Sequence, residues 1–221
     1  MNMRDLLLSK HLVGGSGGSA TVKNQHKVIT ENGVYTADSG YTGLGTVTVN
    51  VPTGGGSTGE NKLIKIVARK NVELTAEDLV GLTRIGDYAF YSASNLLGIT
   101  IPDGVTSIGN SAFYGAGSLS KIVIPESVTS ISTSAFYSCN SLKNIAIPSG
   151  VSVLGANVLA NCSILESVTI RSNTPPTLST YAFTNCKALA KIIVPTGCGE
   201  TYKAATNWSA YADIIFEEGE A

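Results

Sequence analysis

The sequence predicts a solenoid: very short strands wound into about five coils of 23 residues, behind a small β-hairpin module and a short N-terminal helix. Three observations carry this. The segment Ile85-Gly-Asp-Tyr-Ala-Phe90 recurs 23 residues on as Ile108-Gly-Asn-Ser-Ala-Phe113 and again as Ile131-Ser-Thr-Ser-Ala-Phe136. It weakens to Leu154-Gly-Ala-Asn-Val-Leu159 and returns as Ser179-Thr-Tyr-Ala-Phe183, after an extra residue around Asn173-Thr-Pro-Pro176 lengthens the step to 24. A leucine follows in every unit (Leu96, Leu119, Leu142, Leu165, Leu189), and three residues later comes an apolar-x-apolar triplet. The triplets are Ile99-Thr-Ile101, Ile122-Val-Ile124, Ile145-Ala-Ile147, Val168-Thr-Ile170 and Ile192-Ile-Val194. Four of the five are followed by proline: Pro102, Pro125, Pro148 and Pro195. A fixed period of this length marks a stacked-repeat architecture.

Each triplet is a strand of minimal length whose two outer side chains point the same way, into the coil. Proline then ends it, having no N–H for a ladder. One unit alone cannot cover its apolar face, but stacked copies share a continuous core. Cys139, Cys162 and Cys186 occupy one repeat position, filled earlier by Ala93 and Ala116. Small residues at a fixed position predict a buried column, in which free cysteine behaves as a small hydrophobe. The spacing of the four cysteines, Cys198 included, contains no C-x-x-C pair and no histidine cluster, which argues against zinc.

The pattern Ile-Gly-x-x-Ala-Phe-x-x-Cys-x-x-Leu-x-x-Ile-x-Ile-Pro-x-x-Val-Thr-x-Ile resembles the BspA-like leucine-rich repeat family over about residues 62–216. The resemblance implies a leucine-rich repeat solenoid. The segment Val194-Pro-Thr-Gly to Phe216, which holds the chain's single tryptophan, Trp208, is similar to that family's terminal cap. Independently of the resemblance, a solenoid must cover its last open coil. Leu63-Ile-Lys-Ile-Val67 and Leu74 to Leu79 are expected to seal the other end. Thr75 and Asp78 there suit a capping-box start for a short helix.

Residues 1–60 have a different composition. They hold twelve of the chain's 24 glycines. Residues 1–20 read as a short amphipathic helix to Val13 followed by a Gly/Ser linker, and 54–61 as a second glycine-rich linker. Between them, 21–53 form a small β module. Lys27 to Ala37 suggests two strands joined at Asn32-Gly33, and Thr46 to Val51 alternates apolar and polar residues as a third. So small a unit is not stable alone and needs a copy of itself or a larger partner. The solenoid and its C-terminal cap take up 62–221. The stretch from Ile29 to Val51 resembles a module of tail and other virion proteins of phages infecting Gram-positive gut bacteria, and Met1-Asn-Met-Arg-Asp-Leu-Leu7 is similar to the starts of such proteins.

Lys plus Arg number 15 and Asp plus Glu 16, a net charge of -1, which argues against nucleic acid as a partner. No apolar run reaches the 18 or so residues of a membrane span, and Leu6-Leu7-Leu8 is cut off by Ser9, Lys10 and His11 before it makes the apolar core of a signal peptide. The spacing from Gly54 to Gly59 mimics a phosphate-binding loop, but Glu60 stands where its lysine belongs. Both histidines, His11 and His26, precede the repeats, so no nucleophile there has a histidine base in its own domain. Asp87, Asp103, Glu126 and Glu166 fall at variable repeat positions and read as solvated coil residues. Asn161-Cys-Ser163 and Asn207-Trp-Ser209 match glycosylation sequons. The expectation is a non-enzymatic protein without cofactors or metals.

Recognition has one leading candidate. Tyr91, Tyr114 and Tyr137 follow the repeat phenylalanine in three successive coils and are expected to stack, either as a ligand-binding surface or as a stabilising ladder. A second is the outward strand row Thr100, Val123, Ala146, Thr169 and Ile193, beside Lys121, Lys143 and Lys191. Taken with the phage resemblance, these imply a virion structural protein of the tail or head fibre or decoration type. Its partners would be other virion proteins, further copies of itself (a trimer) and a host-surface polysaccharide or protein. The other readings are a BspA-like adhesin on the bacterial surface and a protein-interaction scaffold.

Overall fold

A 23-residue repeat closes one turn only if each turn contributes strands to the same ladders, and the computed structural model has this arrangement. It describes residues 72–76, 79 and 82–220, together with short strands at 33–35, 47–49 and 62–63. The strands in chain order are β1 (Gly33–Tyr35), β2 (Val47–Val49), β3 (Lys62–Leu63), β4 (Val72–Leu74), β5 (Arg84–Ile85), β6 (Leu96–Thr100), β7 (Ser107–Ile108) and β8 (Lys121–Val123). There follow β9 (Ser130–Ile131), β10 (Asn144–Ile147), β11 (Val153–Leu154), β12 (Ser167–Ile170), β13 (Thr177–Leu178), β14 (Lys191–Val194) and β15 (Ile215–Glu217).

The two-residue strands β3, β5, β7, β9, β11 and β13 form one continuous parallel sheet of six. The triplet strands form a second parallel surface, divided into a ladder of β4, β6 and β8 and a ladder of β10, β12, β14 and β15. The solenoid therefore has six turns, one more than the recurring motif spells out. The additional turn is the segment expected to seal the N-terminal end. Leu63 pairs with Ile85 and Leu74 with Ile99, as coil partners do elsewhere. This first turn lacks the Ala-Phe signature and so escapes the pattern. Asp78, half of the expected capping box, lies outside the described residues.

Alternation along the triplets is as the pleat requires. Ile99, Ile145, Val168 and Ile192 are buried, as are Ile101, Ile124, Ile147, Ile170 and Val194, with the middle residue of each triplet turned outward. Between the two sheets runs a third ladder with no regular strand. Alternate N–H groups of each coil donate to the next: Tyr88 to Asn110 O, Phe90 to Ala112 O and Ser92 to Tyr114 O at 2.9, 2.6 and 2.7 Å. The next coil repeats this with Ser111, Phe113 and Gly115. The segment keeps that register by placing two residues in each of four coils in the left-handed region, at 88, 111, 134 and 157 and at 92, 115, 138 and 161, and one in the last, at 185. Serine, asparagine and glycine fill nearly all of these, the residues that tolerate it best. Coils also approach closely beside this segment. A Cβ on Gly109 would lie 2.3 Å from Asp87 Oδ1 and 2.6 Å from the Asp87 backbone nitrogen.

Inside, Phe90, Phe113 and Phe136 stack at 4.8 and 5.2 Å between centroids, nearly parallel. Cys139 and Cys162 are buried and Cys186 half-buried beside the same core, all as free thiols. Each donates its S–H to a carbonyl one coil back: Phe113 O, Phe136 O and Leu159 O, at 3.2, 3.1 and 3.0 Å. The neighbouring Cys139 thiol, together with burial, pushes Cys162 up to about 12, and Cys186 is raised in the same way by Cys162. Buried or half-buried and bonded to the coil behind, the column packs as small hydrophobes do.

The C-terminal end is plugged by helix α1 (Gly199–Ala204), a 3-10 helix (Ser209–Ile214) and β15, which adds to β14 in parallel. Tyr202 and Trp208 are fully buried and meet edge to face at 5.2 Å. Tyr202 donates its hydroxyl to Ser172 O and Trp208 its indole N–H to Pro176 O, each at 2.7 Å. Asn207 donates to Leu178 O at 2.7 Å. All three acceptors lie in or beside the segment lengthened by the extra residue, so the irregularity in the repeat is where the cap is anchored. Glu217 fastens the cap to its entry loop, accepting from Gly197 and Gly199 N–H at 2.7 and 2.8 Å. Those bonds hold its carboxyl below the usual carboxylate range.

At the other end of the chain, β1 and β2 pair antiparallel, with Gly33 opposite Val49. Gly33 thus belongs to a strand, and Asn32, with which it was expected to form a tight turn, lies outside the described residues. The strand expected before it, the helix within 1–20 and both linkers lie outside the described residues.

Candidate functional site

Tyr91, Tyr114 and Tyr137 form the stack their spacing predicts. Tyr91 and Tyr114 lie 5.0 Å apart at an interplanar angle of 12°, and Tyr114 and Tyr137 4.5 Å apart at 9°. The register comes from the main chain. Each tyrosine follows a phenylalanine whose N–H is tied to the next coil, so the phenylalanine turns into the core and the tyrosine onto the flank. Tyr91 is 42% exposed, and the other two are half-buried. Burial, with Tyr137 and Tyr91 on either side, raises the Tyr114 hydroxyl above its ordinary value. The ladder presents ring edges and hydroxyl groups on the flank.

Tyr88 is an addition the repeat did not single out. Its ring centroid is 5.8 Å from that of Tyr91 and the planes are tilted by 60°. It is 56% exposed, and its backbone lies in the left-handed region at φ 58°. Three other coils fill this position with Ser111, Ser134 and Asn157. A bulky side chain there costs roughly 1–2 kcal/mol, and an exposed ring recovers little of it. The available signal was the tyrosine in Ile85-Gly-Asp-Tyr-Ala-Phe90, where later copies have serine. Tyr181, the most exposed of the large hydrophobic side chains among the described residues at 61%, holds the same position in the last coil but without the positive φ.

The second candidate surface is less distinctive. Val123 is exposed, and Thr100, Ala146, Thr169 and Ile193 are half-buried along the strand faces. Lys121 and Lys191 are exposed, while Lys143 pairs with Glu166 at 3.2 Å. The row is interrupted between β8 and β10, where the two ladders separate.

Three of the four carboxylates named from the sequence connect coils. Asp87 Oδ1 accepts from Asn110 N–H at 2.9 Å. Glu126 accepts from the Ser149 N–H and hydroxyl one coil on, and pairs with Arg171 a further coil away at 2.5 Å. Arg171 first, then Ser149, holds the Glu126 carboxyl below the usual range. Glu166 is engaged by Lys143. They bind stacked coils together and are not paired with one another. Among the described residues no group of three or more His, Cys, Asp or Glu side chains is placed to hold a metal ion, and no helix is long and apolar enough to cross a membrane. Of the two sequons, Asn207 spends its amide on Leu178 O, and the other encloses the buried Cys162.

A stack of coils tied to one another by main-chain and side-chain bonds, with a tyrosine stack on one flank, defines a repeat scaffold. The family comparison is specific about which. Residues 71–212 match the BspA type leucine-rich repeat region in six copies, and the chain belongs to that family. Among solved structures, a leucine-rich repeat protein of T. pallidum is 32% identical, with 53% of this chain covering 56% of that one at a TM-score of 0.49. The pneumococcal vaccine antigen PcpA is 26% identical, with 60% of this chain covering 33% of that one at a TM-score of 0.53. A leucine-rich cell surface protein of Faecalibacterium prausnitzii is 29% identical, with 57% of this chain covering 38% of that one at a TM-score of 0.44. The chain thus spans little more than half the length of the first of these and between 33% and 38% of the others. Comparison with curated proteins gave no match.

Proposed function

We propose that this chain is a non-enzymatic recognition protein of a phage particle, of the tail or head fibre or decoration type, whose solenoid binds a polysaccharide or protein on the host surface. The observation that carries recognition is the tyrosine stack on the flank, from Tyr91 through Tyr114 to Tyr137, on a scaffold where Asp87, Glu126 and Glu166 are engaged in coil-to-coil bonds. Stacked aromatic rings with hydroxyl tips give rigid contact area at low entropic cost, the composition typical of binding hot spots. The particle assignment rests on the resemblance of residues 29–51 and of the opening residues to virion proteins. In this reading residues 1–53 attach the protein to other virion proteins and to further copies of itself, as a trimer.

A second reading, an adhesin on the bacterial surface, is favoured by the likeness to a pneumococcal vaccine antigen, since such antigens face outward. Light scattering of the purified chain and immunogold electron microscopy of whole particles and whole cells separate the two. An oligomer found on virions supports the first reading. A monomer found on cells and on no particle overturns it in favour of the second. For recognition itself, the full chain is applied to intact Gram-positive gut bacteria. The triple variant Tyr91/Tyr114/Tyr137→Ala is expected to lose at least tenfold in binding, and undiminished binding removes the ladder as a site.

A further inference from the structure

We infer that the solenoid is hinged: its triplet-strand surface is unfastened along the seam between β8 and β10, and Glu126 is the latch across that seam. The main chain makes the seam. Successive peptide units of a strand turn to opposite edges. Ile101 N–H donates to Val123 O at 3.0 Å, so Val123 faces back toward β6, and Ile122 and Ile124 on either side of it face β10. Arg171 N–H donates to Ile147 O at 3.0 Å, so Ile147 faces on toward β12, and Ala146 faces β8. The other neighbouring triplet strands are joined as parallel pairs, yet among the described residues no ladder joins β8 to β10. Burial reports the same gap. Ile122 is half-buried, whereas Ile99, Ile145, Val168 and Ile192, which fill its position in four other coils, are at most 4% exposed.

The same two coils stay tightly joined elsewhere, which turns a gap into a hinge. On the opposite surface β7 pairs with β9, Ser107 with Ser130 and Ile108 with Ile131. On the flank, Ser111, Phe113 and Gly115 N–H donate to Thr133, Ala135 and Tyr137 O at 3.0, 2.7 and 2.8 Å, with the Phe113–Phe136 and Tyr114–Tyr137 stacks beside them. Two ladders form a spine and the third is open, so bending about the spine parts β8 from β10 with no ladder bond to break. Side chains close the seam instead. Before the strands, Ser141 Oγ donates to Gly117 O at 2.6 Å. After them, Glu126 accepts from the Ser149 N–H and hydroxyl at 3.0 and 2.9 Å, and its other oxygen accepts from Arg171 one coil further on. Exposed ion pairs hold weakly, and local opening starts where main-chain bonds and buried contacts are fewest. The outward row Thr100, Val123, Ala146, Thr169 and Ile193 is therefore two short surfaces whose mutual angle the latch sets. This hinge does not depend on the recognition reading above.

Two native thiols test it on the full chain. Cys139 donates to Phe113 O, so it lies at the boundary of the two coils that the seam divides. Cys162 donates to Phe136 O, one boundary on, where β10 and β12 are paired. Both are buried. Labelling by N-ethylmaleimide under native conditions is followed residue by residue by mass spectrometry in the wild-type chain, in Glu126→Ala and in Lys143→Ala. The last is the control, because Lys143 pairs with Glu166 at similar exposure across the intact boundary. The expected result is at least fivefold faster labelling of Cys139 in Glu126→Ala with Cys162 changed less than twofold, and less than twofold change at either thiol in Lys143→Ala. Equal acceleration of both thiols by Glu126→Ala would mean general destabilisation and overturn the hinge, as would no acceleration of Cys139. Hydrogen exchange of the wild-type chain is the second measurement. The amides of Ile122, Ile124 and Ala146 should exchange at least tenfold faster than those of Ile101 and Arg171. Equal protection would show that the seam is closed and overturn the proposal.

Discussion

The solenoid holds its coils together by different means in its two halves. From Phe90 to Phe136 the stack is aromatic, with a phenylalanine column inside and a tyrosine column outside, each nearly parallel from ring to ring. Beyond that, Leu159 and Ala160 replace both rings, and the continuing coils are bound by a four-stranded ladder, a line of thiols donating to carbonyls, and the Trp208 plug. The front ladder changes over near the same place, between β8 and β10, and there the aromatic stacks span the junction: Phe113 to Phe136 and Tyr114 to Tyr137 connect the coils that carry these two strands. Coil geometry is thus common to both halves, while the side chains that fill it are interchangeable. An aromatic column leaves an exposed ring surface on the flank. Beyond it the flank position after the phenylalanine column holds Ala160 and Thr184, so the stacked rings, and with them the candidate site, are confined to the first half.

The largest expected effect tests the C-terminal half. Trp208→Ala opens a cavity under the cap and strands the Pro176 carbonyl, and should cost about 3–5 kcal/mol in urea unfolding. A loss below about 1 kcal/mol would mean the cap is not what closes the stack. In the first half, Phe113→Ala should cost a similar 3–5 kcal/mol, because the ring is stacked on both faces. Phe113→Leu, which copies the coil at Leu159, should cost about 1.5 kcal/mol or less. Equal costs for the two would show that the halves are not interchangeable. Gly109→Ala drives a methyl group into the Asp87 main chain and should cost roughly 1–3 kcal/mol, whereas Gly117→Ala, whose methyl would meet only the Gly115 carbonyl oxygen at 3.9 Å, should stay within about 0.5 kcal/mol.

The smallest effect is on acidification. Glu126 and Glu217 have lowered folded-state values, so their stabilising contribution is complete above the ordinary carboxylate range. It is lost as pH falls through the lowered value. Thermal midpoints should therefore drop below that range, and Glu217→Gln should flatten the drop at the cap. Glu126→Gln should do so to a lesser extent, since its partners are half exposed to screening solvent. An unchanged profile in both variants would remove these carboxylates as coil-to-coil and cap ties.

Much of this was legible because a solenoid is nearly one-dimensional: contacts fall one period away, so the period reports them directly. The stack of Tyr91, Tyr114 and Tyr137, the buried thiol column and the tryptophan plug all follow from residues recurring at a fixed step. The first turn was not legible as a turn. Leu63 and Leu74 keep the geometry without the Ala-Phe signature, and apolar residues alone do not distinguish a coil from a seal. Nor was the contact of Tyr88 with Tyr91 legible. Its sequence context shows a tyrosine in place of serine, but the left-handed backbone and the tilt against Tyr91 arise only when the neighbouring coil fixes the main chain.

What the sequence by itself determined is the period, and with the period the register of every column, because stacking at one repeat permits a single alignment of like with like. What only the tertiary structure decided is which polar groups remain available. Asp87, Glu126 and Glu166 look equivalent to Tyr88 in a list of exposed repeat positions. Once coils are stacked, the carboxylates are taken up by the Asn110 N–H, by Ser149 with Arg171, and by Lys143, while the tyrosine ring is left facing solvent. That difference depends on distances between adjacent coils, which a one-dimensional pattern does not contain.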